Sequence, residues 1–343
     1  MLKDALDQLV GGESMSEAQA YDAARELAGG EADAALAAAL LIALRMKGES
    51  ADEVRGFARA MRDLALRPVL PEAVRSRACD LVGTGGDGSH TFNISTGAAL
   101  LAAACGLPIV KHGNRSISSR SGAADLLAAL GTRGDGSPES LRRSLESTGF
   151  CFLFAPDHHP AAANVAQVRR TLGVRTIFNI LGPLTNPAQP PFGMLGAYSL
   201  DTARLMADAI SGLDIERVFV VHGAPAWDEP TPVGVFHLFD VRPNGVTHEV
   251  RDPADFGLAP CAPDELRGGD AAHNADALRA VFAGERSPHR DALCLSCALA
   301  LEVSGAASSL SEGLIAARAA LDDGRASGLL ERLRGLYAKE RTG

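Results

Sequence analysis

The chain has no surplus of positive charge: 33 Lys and Arg stand against 42 Asp and Glu, a formal net charge of -9 in 343 residues. Sequence-independent binding to nucleic acid depends on Lys and Arg against phosphates, so this balance excludes it while leaving room for a local basic pocket around one small phosphate. Long apolar runs are also missing. The most apolar stretch, residues 36–44, falls well short of the roughly 20 residues of a membrane helix, and no membrane association is expected. Residues 1–10 lack the basic and then apolar pattern of a secretory signal. Six cysteines (79, 105, 151, 261, 294 and 297) are scattered, and the single C-x-x-C pair, Cys294 and Cys297, has no second pair to complete a zinc site. The pair reads as small core residues on a helix. A reducing, cytoplasmic setting follows as the expectation. There is no internal repeat, no Walker A motif and no G-x-G-x-x-G in dinucleotide-binding context.

What remains is a chain rich enough in core-forming residues to fold, 46% hydrophobic and 22% charged, and long enough for two domains at about 150 residues each. Its first part is all helix. Leu2, Leu6, Leu9 and Val10 share a face; Ser16 with Gln19 and Ser50 with Glu53 form capping boxes; residues 31–46 make a nearly all-apolar helix that stops at Gly48. From Arg77 the pattern changes. Residues 79–82, 108–110, 151–154 and 218–221 read as buried strands, alternating with helices near 95–105, 121–130, 137–147, 200–212 and 271–282. Such alternation predicts a mostly parallel sheet with helices on its faces. Residues 235–250, folded about Pro243-Asn244-Gly245, read as a β-hairpin. The expected fold class is α/β: a small N-terminal all-helical domain, residues 1–68, and a large α/β domain with a mostly parallel central sheet, residues 77–343.

Three segments carry chemistry. The first strand runs into Gly83-Thr84-Gly85-Gly86-Asp87-Gly88, followed by Thr91, Asn93, Ser95 and Thr96 at the start of an apolar helix. Glycine lets a ligand approach backbone N–H groups, and a helix N-terminus offers free donors to phosphate. The second strand leads into a stretch holding Lys111, Arg115 and Arg120 among small polar residues, a candidate anion cradle at the carboxyl end of a strand. After residues 218–221 comes Asp228-Glu229 among Pro225, Pro230 and Pro232. Two carboxylates facing a phosphate cradle suit Mg²⁺. His158-His159 follows the third strand. Adjacent residues on a turn point apart, so His159 is expected to line a pocket rather than ligate a metal. Arg169 and Arg170 lie about three helical turns on, where one can pair with a carboxylate.

Taken together, the Gly83–Gly88 loop with Thr91-Phe92-Asn93-Ile94-Ser95-Thr96, the stretch Lys111-His112-Gly113-Asn114-Arg115, the pair Ser118-Ser119, and the block from Arg175-Thr176-Ile177-Phe178-Asn179 to Asn186-Pro187 resemble the anthranilate phosphoribosyltransferase family. The likeness runs from the first helix to about Arg325. It implies the nucleoside phosphorylase and phosphoribosyltransferase type of fold, with a later helical segment near 165–185 packed on the helical domain, and a homodimer through that domain. It implies phosphoribosyl transfer from phosphoribosyl pyrophosphate to the amine of anthranilate, a step of tryptophan synthesis, with Mg²⁺, two ions, as cofactor. By the family's pattern Gly83, Gly85, Gly86, Asp87, Thr91, Asn93, Ser95, Thr96, Lys111 and Ser119 would hold phosphoribosyl pyrophosphate. Gly83, His112, Asn114, His159, Arg169 and Gly182 would line the acceptor channel. Ser95, Asp228 and Glu229 would serve magnesium. No acid, base or nucleophile is assigned. The chain departs from the pattern at Ala123, Ala162, Ala163, Ala226-Trp227 and Ser296-Cys297, mostly beside the acceptor residues. A related transferase with another aromatic acceptor therefore stays open, as does, more distantly, a pyrimidine nucleoside phosphorylase.

Overall fold

The structure, a computed structural model, describes residues 1–115, 120–243 and 245–340. Four helices come first, Leu2–Val10, Glu17–Ala28, Ala34–Lys47 and Ala51–Asp63. Both capping boxes form as the sequence predicts, Ser16 with Gln19 and Ser50 with Glu53. The third helix starts at Ala34 rather than at residue 31, because Asp33 takes the N-cap and accepts from the Ala35 and Leu36 N–H groups.

Seven strands then make one sheet: β1 Cys79–Gly83, β2 Ile109–Gly113, β3 Phe150–Phe154, β4 Phe192–Gly196, β5 Arg217–Gly223, β6 Phe236–Arg242 and β7 Gly245–Arg251. Their order is β3-β2-β1-β4-β5-β6-β7. The first five are parallel, and β6 and β7 form the expected antiparallel hairpin at one edge. β4 is a correction to the sequence reading, which has no strand there. Two glycines among Phe192–Gly196 and prolines just before it hide a short strand whose inclusion depends on pairing with β1 on one side and β5 on the other. A second correction concerns β2, which runs on through Lys111 and His112. Lys111 is 1% exposed, so it is a buried strand residue and not part of the loop after the strand that carries Arg115.

Alternation along β4, β5 and β6 sends successive side chains into two cores. Met194, Phe219, Val221 and Leu238 join the core under the helices Ile94–Ala104 and Pro288–Val303. Leu195, Val218, Val220 and Phe239 join a second core made with the four N-terminal helices, Val165 and the segment Ile177, Phe178, Ile180 and Leu181. Cys294 and Cys297 are buried in the helix Pro288–Val303, in keeping with the reading of them as small core residues. Chain order reverses at β1: β2 and β3 extend the sheet one way, β4 and β5 the other. The carboxyl ends of β1 and β4 are therefore the switch point at which open α/β sheets bind ligands.

Candidate active site

β1, β4 and its neighbour β5 end in glycine there, and the reason is a loop lying across them. A Cβ on Gly83 would overlap the Asp228 carboxylate; one on Gly196 would overlap the Asp228 carbonyl; one on Gly223 would overlap the Glu229 carbonyl. Only hydrogen leaves room for the acidic pair. The loop is then tied down by hydrogen bonds with the glycine-rich segment and the start of the helix that follows it. Gly85 N–H donates to Asp228 Oδ2 at 2.6 Å, and Asp228 N–H donates to Asp87 Oδ2 at 3.2 Å. Glu229 accepts from the Ser95 N–H at 3.0 Å and from the Thr91 hydroxyl at 3.2 Å. Glu229 thus caps the helix Ile94–Ala104, whose own N-cap residue Asn93 makes no side-chain cap. The donors that the sequence marked out for an anion, loop N–H and helix N–H, converge on one place with the two carboxylates.

Electrostatics shows how crowded that place is. Burial pushes the Asp228 carboxyl up to about 7, and the neighbouring Asp87 charge adds to it. Glu229 is held well above the usual carboxylate range by burial, then by Asp228 and Asp87. A bound cation would relieve both causes. Among the described residues no three His, Cys, Asp or Glu side chains group to hold a metal by themselves. Two carboxylates short of a full protein cage match a hard divalent ion that completes its shell with water and substrate phosphate oxygens.

Lys111 reaches Leu81 O from beneath the site, with Asp80 and Glu229 offsetting its charge while burial lowers its pKa. Asp80, pushed up to about 6 by burial against the pull of Lys111, accepts from the His112 N–H at 3.2 Å and from Asn186 Nδ2 at 2.8 Å. Asn93 is committed internally: Oδ1 accepts from Asn274 Nδ2 at 3.0 Å and from the Ser121 hydroxyl at 3.2 Å, and Nδ2 donates to the Ser121 carbonyl at 2.9 Å. It locks the helix start to Ser121 and to the helix Ala271–Phe282. Thr96 is buried in the first helical turn. A cavity of about 350 Å³, lined in part by Thr91, Arg120, Ser121, Arg267 and Asn274, opens beside them.

A second cluster lies across β2. The rings of His112 and His159 are 5.1 Å apart, and His112 Nδ1 faces the Gly182 carbonyl at 3.2 Å. Burial drives His112 down to about 3, helped by His159, and His159 down to about 4. Both rings are neutral at pH 7. His112 Nε2 and both His159 nitrogens make no hydrogen bond of normal geometry. His158 points the other way, to the Leu66 carbonyl at 2.8 Å. Arg169 lies over the Phe178 ring at 5.3 Å, half-buried. Asn114 is exposed, its Oδ1 accepting from the Arg115 N–H at 2.7 Å. Ser119, and Ser118 with it, lies outside the described residues.

Five contributors were given no role in the sequence reading. Gly196 and Gly223 make room for the acidic loop; Asp80 and Asn186 brace the strand that carries His112. The fifth, Arg175, appeared there, like Asn186, only as part of a motif block. Its guanidinium stacks on Tyr198 at 4.1 Å and donates to the Gly86 carbonyl, pinning the glycine loop. A polar residue inside an apolar strand was the available signal for Asp80. The others act across long sequence distances and leave no local mark.

Comparison with known proteins agrees with this geometry. Residues 3–65 match the helical bundle domain, and residues 75–327 the a/b domain, of a glycosyl transferase family. The chain is 45% identical over 331 residues to an anthranilate phosphoribosyltransferase of Methylobacterium sp. (strain 4-46), covering 96% of this chain and 97% of that one. It superposes on the crystal structure of the anthranilate phosphoribosyltransferase of Thermus thermophilus with a TM-score of 0.91 at 41% identity, covering 98% and 99% of the two chains. The Saccharomyces cerevisiae enzyme in complex with phosphoribosyl pyrophosphate and Mg gives 0.87 at 27% identity, covering 98% of each.

Proposed function

We propose, from the premise that this chain belongs to the anthranilate phosphoribosyltransferase family, that it transfers the phosphoribosyl group of phosphoribosyl pyrophosphate to the amine of anthranilate, releasing pyrophosphate, in tryptophan synthesis. The observation that carries the site assignment is the convergence of the Gly85 and Ser95 N–H groups on Asp228 and Glu229. Gly83, Gly85, Gly86 and Asp87 hold the pyrophosphate from the loop, and Thr91, Asn93, Ser95, Thr96 and Lys111 support it from the helix start and the strand beneath. Ser95, Asp228 and Glu229 would hold magnesium, two ions by the family's pattern, and the metal would supply neutralisation of charge on the leaving pyrophosphate.

The chain's own part is positioning and charge placement. As the bond from C1 of the ribose to pyrophosphate breaks, negative charge grows on oxygens that face the magnesium which Asp228 and Glu229 would hold, and the Gly85 and Ser95 N–H groups keep those carboxylates in place without reorganisation. The attacking amine of anthranilate is neutral at pH 7 and carries a free lone pair, so no strong base is required. The neutral His112 and His159 rings fit that requirement, giving an aromatic acceptor a wall without charge. Arg169 pairs with the acceptor carboxylate, and Asn114 and Gly182 complete the channel. Holding the two reactants in register supplies much of the acceleration. We take residues 1–68 and 77–343 as the two domains, the chain as a homodimer through the helical one, and its setting as the cytoplasm; among the described residues no helix is long and apolar enough to cross a membrane.

The test is loss of anthranilate fluorescence on adding the purified protein. Loss that requires both phosphoribosyl pyrophosphate and Mg²⁺ is expected. No loss from micromolar to millimolar anthranilate, with pyrophosphate released only when another aromatic acid is supplied, would reassign the acceptor.

A further inference from the structure

Two residues of the acceptor channel are supported, each at one remove, by a single helix of the N-terminal bundle, Ala51–Asp63. Phe57 on that helix meets Phe178 edge to face at 6.0 Å, and Arg169 lies over the same Phe178 ring at 5.3 Å. Further along the helix, Arg62 Nε donates to the Leu184 carbonyl at 2.7 Å. Burial lowers the Arg62 guanidinium to about 10, with Asp214 opposing it. It is therefore charged at pH 7, and its hydrogen bond to Leu184 is a charge-assisted one. Leu184 closes the single helical turn Gly182–Leu184. The chain just after the turn is tied to the sheet by Asn186, whose Nδ2 donates to Asp80 Oδ2 and to the Val110 carbonyl, both at 2.8 Å. The turn itself is what Arg62 holds.

At the start of the turn, the Gly182 carbonyl faces His112 Nδ1 at 3.2 Å. A carbonyl oxygen only accepts, so Nδ1 carries the proton of the neutral ring and the lone pair is on Nε2. That nitrogen is buried and has no partner among the described residues. A buried acceptor left without a donor is costly, and a ligand that brings an N–H group removes the cost. The amine of an aromatic acceptor is such a group. We propose that Arg62, from the helical domain, is a positioning residue for the acceptor: by holding Leu184 it sets the Gly182 carbonyl that fixes His112 in its Nδ1–H form, leaving Nε2 to receive the acceptor's amine. The proposal rests on the acceptor channel assigned above. It gives the helical domain a part in binding the acceptor through the backbone of another segment.

The experiment combines steady-state kinetics with NMR of the full-length protein labelled with ¹⁵N-histidine. In the wild type at pH 7, His112, identified by the signals lost in His112→Gln, should show a protonated Nδ1 and an unprotonated Nε2. Arg62→Met keeps the apolar stem and removes the donor. It should raise the KM for anthranilate about tenfold or more, the size of one lost charge-assisted hydrogen bond, and leave that for phosphoribosyl pyrophosphate within about twofold. His112 should then show both tautomers. Arg62→Lys, which restores a charged donor, should recover part of the anthranilate KM. Arg55 is the control on the same helix: it donates to the Asp208 and Ala209 carbonyls, which belong to no acceptor segment, and Arg55→Met should leave both KM values unchanged. Should Arg62→Met fail to fold, Arg62→Gln, polar but too short to reach Leu184, carries the same expectations. A wild-type His112 protonated on Nε2, an equal rise in both KM values, or an Arg62→Lys no better than Arg62→Met would overturn the proposal. If wild type consumes no anthranilate, it is the acceptor assignment that fails, and the His112 tautomer in wild type and variant still decides the role of Arg62.

Discussion

Asp228 shows how much of this protein's chemistry rests on single atoms. Its carboxyl is raised from the ordinary 3.8 to about 7 by burial and by Asp87. A group raised on folding binds a proton in the folded chain that the unfolded chain has already lost, so its contribution to stability is full below pH 4 and disappears as pH rises through 7. Glu229 and Asp80 are shifted the same way. Without Mg²⁺ the melting temperature should therefore fall between pH 5.5 and 8, and millimolar Mg²⁺ should raise it more at pH 8 than at pH 6. Asp228→Asn should flatten that slope and abolish turnover at low Mg²⁺; scanning calorimetry and the fluorescence assay read the two effects. A slope unchanged in the variant would separate Asp228 from the titration. Gly196→Ala is the complementary steric test. Its methyl meets the Asp228 carbonyl, which is backbone and cannot swing aside, so activity should drop at least tenfold with the Asp228 side chain intact. In the sequence, Asp228-Glu229 was legible because it follows an apolar strand and sits among prolines. Gly196 was not, because its reason lies in a residue 32 positions later that the chain brings back across the sheet.

Elements were legible where the local signal was also the tertiary one. Ser16 and Ser50 cap the helices they begin, and the Pro243 turn joins β6 to β7, because those contacts span only a few residues. β4 failed for the opposite reason: its glycine-rich sequence has weak strand character, and its two neighbours supply the pairing. The same holds for close helix contacts. Gly56 on the helix Ala51–Asp63 faces Ala20 on Glu17–Ala28, where an added Cβ would lie 2.8 Å from the Ala20 methyl and also meet the Glu17 carbonyl. Gly56→Ala gains helix propensity but forces the two helices apart, a net loss of roughly 1–3 kcal/mol by overpacking. Urea unfolding should show it, with KM for both substrates unchanged. Arg175 gives the contrasting case of an element contact with a catalytic consequence. It links the segment after the helix Ala162–Leu172 to the glycine loop through Gly86 and Tyr198. Arg175→Met removes a charged hydrogen bond worth about 1.5–3 kcal/mol. It should raise the KM for phosphoribosyl pyrophosphate about tenfold or more, and that for anthranilate much less.

The two largest cores of the molecule share one sheet. Val218 and Val220 belong to the core with the N-terminal helices, while Phe219 and Val221, which alternate with them, belong to the other. Phe57 and Phe178 meet edge to face at 6.0 Å within the first of these, joining the helical part to the segment before β4. Neither core can lose its order without exposing one face of β5, and β5 lies between β4 and β6 in the sheet. Cooperative unfolding in a single transition follows, although the chain is longer than most two-state proteins. The one tryptophan gives a direct check. Trp227 is buried beside Asp228 in the core under the helices Ile94–Ala104 and Pro288–Val303, far in sequence from the N-terminal helices. Val220→Ala opens a cavity only on the helical side, at a cost of about 1–3 kcal/mol. Its unfolding midpoint, followed by Trp227 fluorescence, should shift by the same amount as the midpoint followed by helical circular dichroism. A fluorescence midpoint that stays at the wild-type value while the helical signal moves would mean that the two cores unfold independently.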